Sequence, residues 1–103
     1  MSVLMEFAMF PTDKGESVSM FVSRIIRMID DSGYPYTLTS MGTIVETETL
    51  KESLDLVEKS HRELEPDCSR IYTTIKLDIR KGKGNRMTEK VRSIEQKTGR
   101  VNT

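Results

Sequence analysis

Several residue types that build common functional sites are scarce in this chain. It has one cysteine, Cys68, one histidine, His61, and no tryptophan. A single cysteine excludes an internal disulfide, and one histidine without a second His or Cys at ligand spacing gives no metal-binding pattern. Acidic and basic residues balance at 16 each. The composition therefore gives no indication of nucleic acid or an anionic membrane as a partner.

Long hydrophobic runs are also missing. The longest apolar segments are too short to span a bilayer. The first ten residues lack a charged start and include Glu6, so they do not resemble a signal peptide. Together with the single cysteine, these absences predict a soluble protein, which we expect to be cytoplasmic.

The motifs of common enzyme families are absent as well. We find no nucleophile–base pair, no dinucleotide fingerprint and no phosphate loop. The segment KGKGN at 81–85 superficially suggests phosphate binding. It lacks the strand–loop–helix context and the terminal Lys-Ser/Thr pair, so it predicts a solvated loop. We expect a protein that is not an enzyme and that needs no cofactor or metal.

Hydrophobic periodicity predicts one α+β domain over residues 1–103. The predicted elements are a strand over 2–10, a helix over 14–33, a hairpin over 36–47, a helix that begins at Thr49 and ends before Pro66, a strand over 69–80 and a short helix over 88–97. The order βαββαβ is that of a ferredoxin-like sandwich, here with an extra C-terminal helix. We expect a four-stranded antiparallel sheet in the order 4-1-3-2.

Local signals place the ends of the helices. Ser17 and Ser19 lie where serine oxygens can cap the first helix, and Gly33 is a natural stop. Thr49 and Glu52 have the spacing of a capping box. The apolar face predicted for the second helix consists of Leu50, Leu54, Val57, His61 and Leu64.

Two glutamates are candidates for chemistry. Glu6 interrupts an otherwise apolar first strand, and Glu46 lies within the second strand of a hairpin whose turn we assign to Met41-Gly42. A register that pairs position 6 with position 46 would set both carboxylates side by side, so that one has a raised pKa or a cationic partner. Alternatively, Lys76 neutralises Glu6 and Glu46 points to solvent. The residues alone leave both arrangements open.

One face of the predicted sheet lacks a cover. If both helices pack on the other face, then Leu4, Ala8 and Phe10 are exposed beside Tyr72. A contiguous apolar patch of this kind implies a partner surface, and the simplest partner is a second copy of the same sheet. We therefore expect a homo-oligomer.

Four segments of the chain together resemble one known family. They are the first strand with Glu6 and Pro11, the helix start SVS at 17–19, the hairpin MGT at 41–43 followed by Glu46, and the strand RIYTTIKLDIR at 70–80. This pattern resembles the thiamine-binding-protein family, small single-domain relatives of the YkoF-type thiamine/hydroxymethylpyrimidine-binding protein. The resemblance implies a ferredoxin-like fold, dimers that pair into tetramers through their sheets, and non-enzymatic binding of thiamine or its hydroxymethylpyrimidine part.

The chemistry of that ligand suggests roles for particular side chains. A carboxyl group or a threonine hydroxyl can bind the ring nitrogen and amino group of an aminopyrimidine. Serines at a helix start suit the hydroxyethyl end, and methionine or Tyr36 suits the flat ring. The predicted ligand-binding residues are Glu6, Met9, Ser17, Ser19, Thr37, Thr39, Met41, Gly42, Thr43 and Glu46.

The expected function is binding of this ligand in salvage, transport support or sensing. The alternative is a structural or regulatory homo-oligomer with no physiological thiamine ligand. A third possibility, with least weight, is a small hydrolase or isomerase that uses Glu6 and Glu46. A pocket that combines a carboxylate with apolar walls would favour the binder over the structural protein.

Overall fold

The computed structural model describes residues 1–82 and 84–103, which fold in the order βαββαβα. The strands are β1 (Ser2–Pro11), β2 (Tyr36–Thr39), β3 (Gly42–Thr47) and β4 (Ile71–Arg80), and the helices are α1 (Ser19–Ser32), α2 (Leu50–Leu64) and α3 (Arg86–Thr98). The strands form one antiparallel sheet in the order β2-β3-β1-β4. The predicted α+β class, ferredoxin-like strand order and extra C-terminal helix are confirmed.

The central strand β1 supplies the middle of the core. Its odd-numbered side chains Val3, Met5, Phe7 and Met9 are buried, because they face the two helices that cover this side of the sheet. We call this side the helix face. Successive side chains of a strand point to opposite faces, so the even-numbered residues of β1 point away from α1 and α2.

Helix α1 packs on the helix face through Phe21, Ile25 and Ile29, which recur one turn apart. The helix begins at Ser19, its N-cap is Val18, and no side chain caps it. The predicted serine caps are therefore wrong. The chain before the helix includes Gly15, whose φ of 86° is left-handed and incompatible with a helical turn starting near position 14.

Helix α2 has the predicted start but a different buried face. The capping box between Thr49 and Glu52 is present. The buried residues are Ser53, Leu56, Ser60 and Leu64, whereas Leu54 and His61 of the predicted stripe are exposed. The two serines can be buried because their hydroxyls form hydrogen bonds. The hydroxyl of Ser53 bonds to the hydroxyl of Thr47 at 2.7 Å, and the hydroxyl of Ser60 donates to the Leu56 carbonyl at 2.7 Å.

The register of the sheet separates the two candidate glutamates. Glu46 lies opposite Leu4, and Glu6 lies opposite Ile44 on β3 and Lys76 on β4. The register that would pair position 6 with position 46 is therefore wrong. A shift of two residues keeps every side chain on its own face, so the alternation of apolar residues does not distinguish these registers.

The other side of the sheet, which we call the open face, carries mixed side chains. It is formed by the even-numbered residues of β1 and the residues opposite them, namely Ser2, Leu4, Glu6, Ala8, Phe10, Ile44, Glu46, Tyr72, Thr74, Lys76, Asp78 and Arg80. The rings of Phe10 and Tyr72 lie 5.8 Å apart, and Tyr72 is 54% exposed. Of the patch expected on this face, Phe10 and Tyr72 lie together, whereas Leu4, Ala8 and Phe10 are half-buried and Leu4 lies beside α3.

The capping box of α2 gives a prediction for stability. Replacing Thr49 by Ala leaves the N–H of Glu52 without its side-chain partner at 3.2 Å. We expect Thr49→Ala to lower the free energy of unfolding by about 1 kcal/mol in urea titrations. The control Ser93→Ala, on the exposed side of α3, should change it by less than about 0.5 kcal/mol. Equal effects of the two substitutions would contradict the capping role.

Candidate functional site

An apolar cavity of about 320 Å³ lies between the start of α1 and the β2–β3 hairpin. We call it the hairpin cavity. It is lined by residues 7–10 of β1, residues 38–43 of the hairpin, and Val18, Val22, Ile25 and Ile26 at α1. The volume lies at the lower end of the range found for small-molecule sites, about 300–1,000 Å³. The cavity therefore suits a small, largely flat and apolar ligand.

The turn of the hairpin that forms one wall is stabilised by the side chain of Thr39. The Oγ1 atom of Thr39 accepts hydrogen bonds from the N–H groups of Met41 and Gly42, both at 3.2 Å, and donates to the Gly42 carbonyl at 2.8 Å. The residues between the paired Thr39 and Gly42 are Ser40 and Met41, so the turn is one residue earlier than predicted. This wall is thus positioned by its own local bonds.

Gly42 is needed for space rather than for a left-handed backbone. Its φ is not among the positive values of the described residues, so the expectation that this glycine gives the hairpin a turn of positive φ is wrong. A Cβ at this position would lie 3.0 Å from the carbonyl oxygen of Phe7. Glycine therefore allows the hairpin to approach the end of β1 closely, which closes the cavity on that side.

Half of the predicted ligand-binding residues meet in the hairpin cavity. Met9, Thr39, Met41, Gly42 and Thr43 all line it. Among them, Met9 and Thr43 are buried, whereas Met41 is 86% exposed. The cavity thus has an enclosed interior and a flexible methionine at its exposed margin.

Three of the predicted residues lie instead on the open face. Thr37 is opposite Ile44, and Glu6 and Glu46 share that face. The Nζ of Lys76 lies 3.8 Å from Oε1 of Glu6, as the alternative interpretation expected. Both side chains are well exposed, so this ion pair contributes little to stability.

The remaining two predicted residues, Ser17 and Ser19, are exposed and do not line the hairpin cavity. Ser19 contributes to a separate open groove along α1 that also includes Tyr36 and Leu38. The hydroxyl of Tyr36 donates to Oδ1 of Asp30 at 2.8 Å, which ties β2 to α1 beside this groove. Tyr36 is therefore already engaged at the side of α1 and is not part of the cavity wall.

Glu46 is buried beneath the start of α3. It is 7% exposed, which contradicts the alternative in which it points to solvent. Its Oε2 accepts hydrogen bonds from the hydroxyl of Ser2 at 2.6 Å and the N–H of Arg86 at 3.0 Å, and its Oε1 accepts from the N–H of Met87 at 3.2 Å. The carboxylate thus caps the first turn of α3, where backbone N–H groups lack helical partners.

The side chain of Arg86 bonds to Ser2 and Asp78 beside this carboxylate. Its Nε donates to the hydroxyl of Ser2 at 3.1 Å, and its Nη2 donates to the carbonyls of Ser2, at 2.9 Å, and Asp78. Its Nη1 lies 3.0 Å from the carboxylate of Asp78. Arg86 is 8% exposed. Its guanidinium therefore connects α3 to both β1 and β4.

These contacts set the charge of Glu46. Burial raises the pKa of its carboxyl group, but the Ser2 hydroxyl, the N–H groups of Arg86 and Met87 and the Arg86 guanidinium together lower it below the ordinary value. Glu46 is accordingly a carboxylate at neutral pH. Its hydrogen-bonding capacity is largely used within the chain.

A second, more open cleft of about 930 Å³ lies beside Glu46. It is lined by three carboxylates, Glu46, Glu48 and Glu52, together with Tyr34, Pro35 and residues of both flanking loops. Glu52 accepts from the Tyr34 hydroxyl at 2.8 Å and from the Thr49 N–H at 2.9 Å. Two of the three carboxylates are thus engaged in holding the fold.

The features that were expected in one site are divided between the hairpin cavity and the cleft beside Glu46. The hairpin cavity has apolar walls, but none of the described residues that line it is acidic. The cleft beside Glu46 has the carboxylates. Part of the predicted KGKGN loop borders this cleft through Gly82 and Gly84, and position 83 lies outside the described residues.

Within residues 1–82 and 84–103, no group of three His, Cys, Asp or Glu side chains is arranged to hold a metal ion. No helix in the same part of the chain has the length and apolar character needed to cross a membrane. Cys68 is partly buried and packs against the core.

Comparison with known sequences decides the family. The sequence model of the thiamine-binding protein family matches residues 5–95. The chain belongs to this family. A UPF0045 protein of Mycobacterium bovis is 34% identical over 96 residues, which cover 93% of this chain and 94% of that protein. The family resemblance carried by the strand and hairpin motifs is therefore confirmed.

Two solved structures share the fold of this chain. A hypothetical protein of Methanocaldococcus jannaschii superposes with a TM-score of 0.81 at 29% identity, covering 92% of this chain and 97% of that one. A Thermotoga maritima protein, provisionally described as a thiamine biosynthesis or salvage protein, gives a TM-score of 0.78 at 26% identity, with coverage of 91% and 99%. Both structures are similar to this chain over most of its length.

The sequence patterns did not predict the hydrogen bonds around Glu46. Ser2 begins the first strand, and Arg86 lies before the helix predicted over 88–97, so neither was singled out. Their contact depends on the chain returning over 84 residues to place α3 across the sheet. By contrast, Val18, Val22 and Ile25 of the hairpin cavity recur at helical spacing in the sequence.

The buried Glu46 gives a prediction for pH dependence. Because its pKa is lowered in the folded state, its stabilisation is fully present above the unfolded carboxyl value of about 4.3 and is lost as pH falls through the folded value. Glu46→Gln should lower the free energy of unfolding by about 2 kcal/mol at pH 7. The deficit should shrink as pH falls below about 4, since the wild-type carboxylate is then protonated too.

The neighbouring Glu48→Gln serves as the control, since Glu48 is exposed on the same segment. It should change stability by less than about 0.5 kcal/mol at every pH. Urea titrations between pH 3 and pH 7 measure both variants. A Glu46→Gln protein with wild-type stability and pH dependence would refute the capping role.

Proposed function

We propose that this member of the thiamine-binding protein family is a non-enzymatic cytoplasmic binder of thiamine or its hydroxymethylpyrimidine moiety. The hairpin cavity holds the pyrimidine ring. The observation that carries the proposal is the convergence there of Met9, Thr39, Met41, Gly42 and Thr43 with the apolar start of α1. Salvage, transport support and sensing are the roles that such binding would serve.

The walls of the hairpin cavity suit a flat heteroaromatic ring. Aliphatic side chains of α1 face the end of β1, where Phe7 and Met9 are buried. Apolar walls exclude water from the ring faces and contribute most of the affinity for such a ligand, and a few polar groups fix its orientation. Met41 can adapt to ligand shape, because methionine is unbranched and flexible.

Hydroxyl groups supply the polar contacts in this proposal. Ser40 and Thr43 line the hairpin cavity, and a hydroxyl can donate to a ring nitrogen or accept from the amino group of the pyrimidine. Thr39 serves mainly to hold the hairpin, because its hydroxyl already donates to the Gly42 carbonyl. Contacts of Glu6, Ser17, Ser19, Thr37 and Glu46 with the ligand stay predictions, since they require groups outside this cavity.

A binding role without catalysis is favoured by the same lining. Among the described residues around the hairpin cavity, the polar side chains are serine and threonine, with no acid, histidine or lysine beside them. General acid–base or nucleophilic catalysis needs such a group within hydrogen-bond reach of the substrate. The separation of Glu6 from Glu46 likewise weakens the hypothesis that they act as a catalytic pair.

The second candidate is a structural or regulatory homo-oligomer without a physiological thiamine ligand. It is favoured by the absence of an acidic side chain from the described cavity lining and by the apolar patch around Phe10 and Tyr72 on the open face. In either case we propose that open faces of two chains pack together, with a dimer of dimers as the expected assembly.

A thermal-shift titration with thiamine, thiamine phosphates and hydroxymethylpyrimidine tests the binding proposal. A ligand at about 100 times its Kd adds about 2.7 kcal/mol to the free energy of unfolding, so the Tm should rise with concentration and then follow mass action. Val22→Phe, which fills the hairpin cavity, should abolish this rise. The matched control Val57→Phe, on α2 and away from the cavity lining, should keep it.

The outcomes of the titration separate the two candidates. A saturable shift that Val22→Phe removes and Val57→Phe keeps supports the hairpin cavity as the site. A shift that Val22→Phe leaves intact moves the site elsewhere. No shift with any of these compounds at millimolar concentration, with the assembly intact, favours the structural role.

Packing of the open faces has its own test. Light scattering at micromolar protein should give the mass of an oligomer, and Tyr72→Glu should reduce that mass by burying a charge in the contact. The control is Thr103→Glu at the exposed end of the chain. A monomeric mass for the unmodified protein would contradict the proposal.

A further inference from the structure

The methionines of the chain differ widely in exposure. Met41, in the turn of the hairpin, is 86% exposed, whereas Met20 on α1 is 61% exposed and Met1 is 52% exposed. Met5 and Met9 of β1 are buried. Of the three exposed methionines, Met41 lines the hairpin cavity, and Met1 and Met20 do not. An oxidant in solution therefore reaches a thioether of the cavity most easily at Met41.

The backbone of Met41 is fixed at the margin of the hairpin cavity. Its N–H donates to Oγ1 of Thr39 at 3.2 Å. The next residue, Gly42, lies so close to β1 that a Cβ there would be 3.0 Å from the carbonyl oxygen of Phe7. The side chain of Met41 is not part of the packed core. It can therefore move across the mouth of the cavity while the hairpin stays in place.

A thioether in this position suits a cover for a bound ring. Methionine is unbranched, has several rotatable bonds, and carries a polarizable sulfur that makes favourable contacts with aromatic rings. Val22 and Leu38 belong to the adjoining walls of the cavity. A ring bound there gains a further apolar contact when Met41 folds onto it. The same movement withdraws the sulfur from solvent.

We propose that Met41 is a site of reversible oxidation that regulates ligand binding in the hairpin cavity. This regulatory role rests on the proposed function, because the regulated event is the binding of the pyrimidine there. In the free protein the side chain of Met41 is exposed, and its sulfur reacts with hydrogen peroxide. In the bound protein the sulfur lies against the ring and is shielded. Oxidation and binding therefore oppose each other at one side chain.

The chemical step needs only the thioether and the peroxide. A lone pair of the sulfur attacks one oxygen of hydrogen peroxide, so that an S–O bond forms and the O–O bond breaks. The sulfur is oxidised by an electron pair and the peroxide is reduced. The proton of the attacked oxygen passes to the leaving hydroxide, which becomes water. The product is methionine sulfoxide, which methionine sulfoxide reductases convert back to the thioether.

The sulfoxide is a poor cover for an apolar cavity. Its oxygen is a polar hydrogen-bond acceptor, and folding it onto the ring would remove it from water without a donor in return. The hydroxyl of Thr39 already donates to the Gly42 carbonyl at 2.8 Å, and Ser40 is exposed to water. The oxidised side chain therefore stays in solvent. We expect the affinity for the pyrimidine to fall on the order of tenfold.

The fold tolerates oxidation of Met41 because this residue lies outside the core. Met9 also lines the hairpin cavity, but it is buried, and oxidation there would place a polar oxygen in the core. At Met41 the sulfoxide oxygen stays in water when the cavity is empty. Oxidation of Met41 should therefore leave the Tm of the free protein within about 3 °C of its original value.

Peptide mapping by mass spectrometry after limited peroxide treatment tests the site of oxidation. We expect Met41 to gain an oxygen atom before Met20, because Met20 is less exposed. Saturating thiamine or hydroxymethylpyrimidine should slow the oxidation of Met41 severalfold and leave that of Met20 unchanged. Met20 is the internal control, since it lies on α1 outside the cavity lining.

Thermal-shift titrations before and after peroxide treatment test the effect on binding. In the Met20→Leu protein, peroxide should weaken the binding of thiamine or hydroxymethylpyrimidine about tenfold, because Met41 is still present. In the Met41→Leu protein, peroxide should leave the affinity as it was before treatment, since leucine has no thioether. Methionine sulfoxide reductases A and B with a thiol reductant should restore binding to the oxidised Met20→Leu protein.

The outcomes separate the regulatory role of Met41 from the binding function. A saturable shift that peroxide weakens in the Met20→Leu protein but not in the Met41→Leu protein supports the role. A shift that peroxide leaves intact, or weakens equally in both variants, overturns the role and keeps the binding function. Oxidation of Met20 before Met41, or a bound ligand that does not slow the oxidation of Met41, overturns the role as well. No shift with either compound before peroxide treatment overturns both.

Discussion

The alternation of side chains along β1 determines where every candidate group lies. This strand is paired on both sides, to β3 and β4, so its odd-numbered residues are committed to the core beneath α1 and α2. The residues opposite them on β3, such as Thr43 and Val45, face the same way. Glu6, Glu46 and Thr37 are on the other parity and lie on the open face. The alternation of side chains along a pleated strand therefore places the apolar cavity and the carboxylates on opposite faces of the sheet.

The carboxylate of Glu46 shows how a polar group on that face becomes structural. It accepts hydrogen bonds from backbone N–H groups at the start of α3 and from the hydroxyl of Ser2, which in turn accepts from the guanidinium of Arg86. A buried charge without these partners would be costly. The same bonds fix α3 over one end of the open face and leave the apolar patch at the other end, around Phe10 and Tyr72, uncovered.

Sequence patterns predicted the fold class, the strand order and the family, because these depend on long apolar periodicities and on local signals such as Gly33 and the Thr49–Glu52 capping box. The strand register could not be predicted from these patterns, because a shift of two residues preserves the alternation of apolar side chains. The buried serines of α2 were missed because their burial depends on partners across the fold. Half of the predicted ligand-binding residues line the hairpin cavity, because most of them are neighbours in the hairpin sequence. The position of Glu46 was not predicted, because it depends on the distant helix α3.

We propose that the pyrimidine binds between the hairpin and the start of α1. Amide chemical shifts in a ¹H–¹⁵N NMR titration with thiamine test this placement most directly, because each backbone N–H reports its own surroundings. We expect saturable changes at residues 39–43 and 18–22, with residues 46–49 and 86–87 unaffected. Changes confined to residues 46–49 and 86–87, or no change at millimolar thiamine, would contradict it.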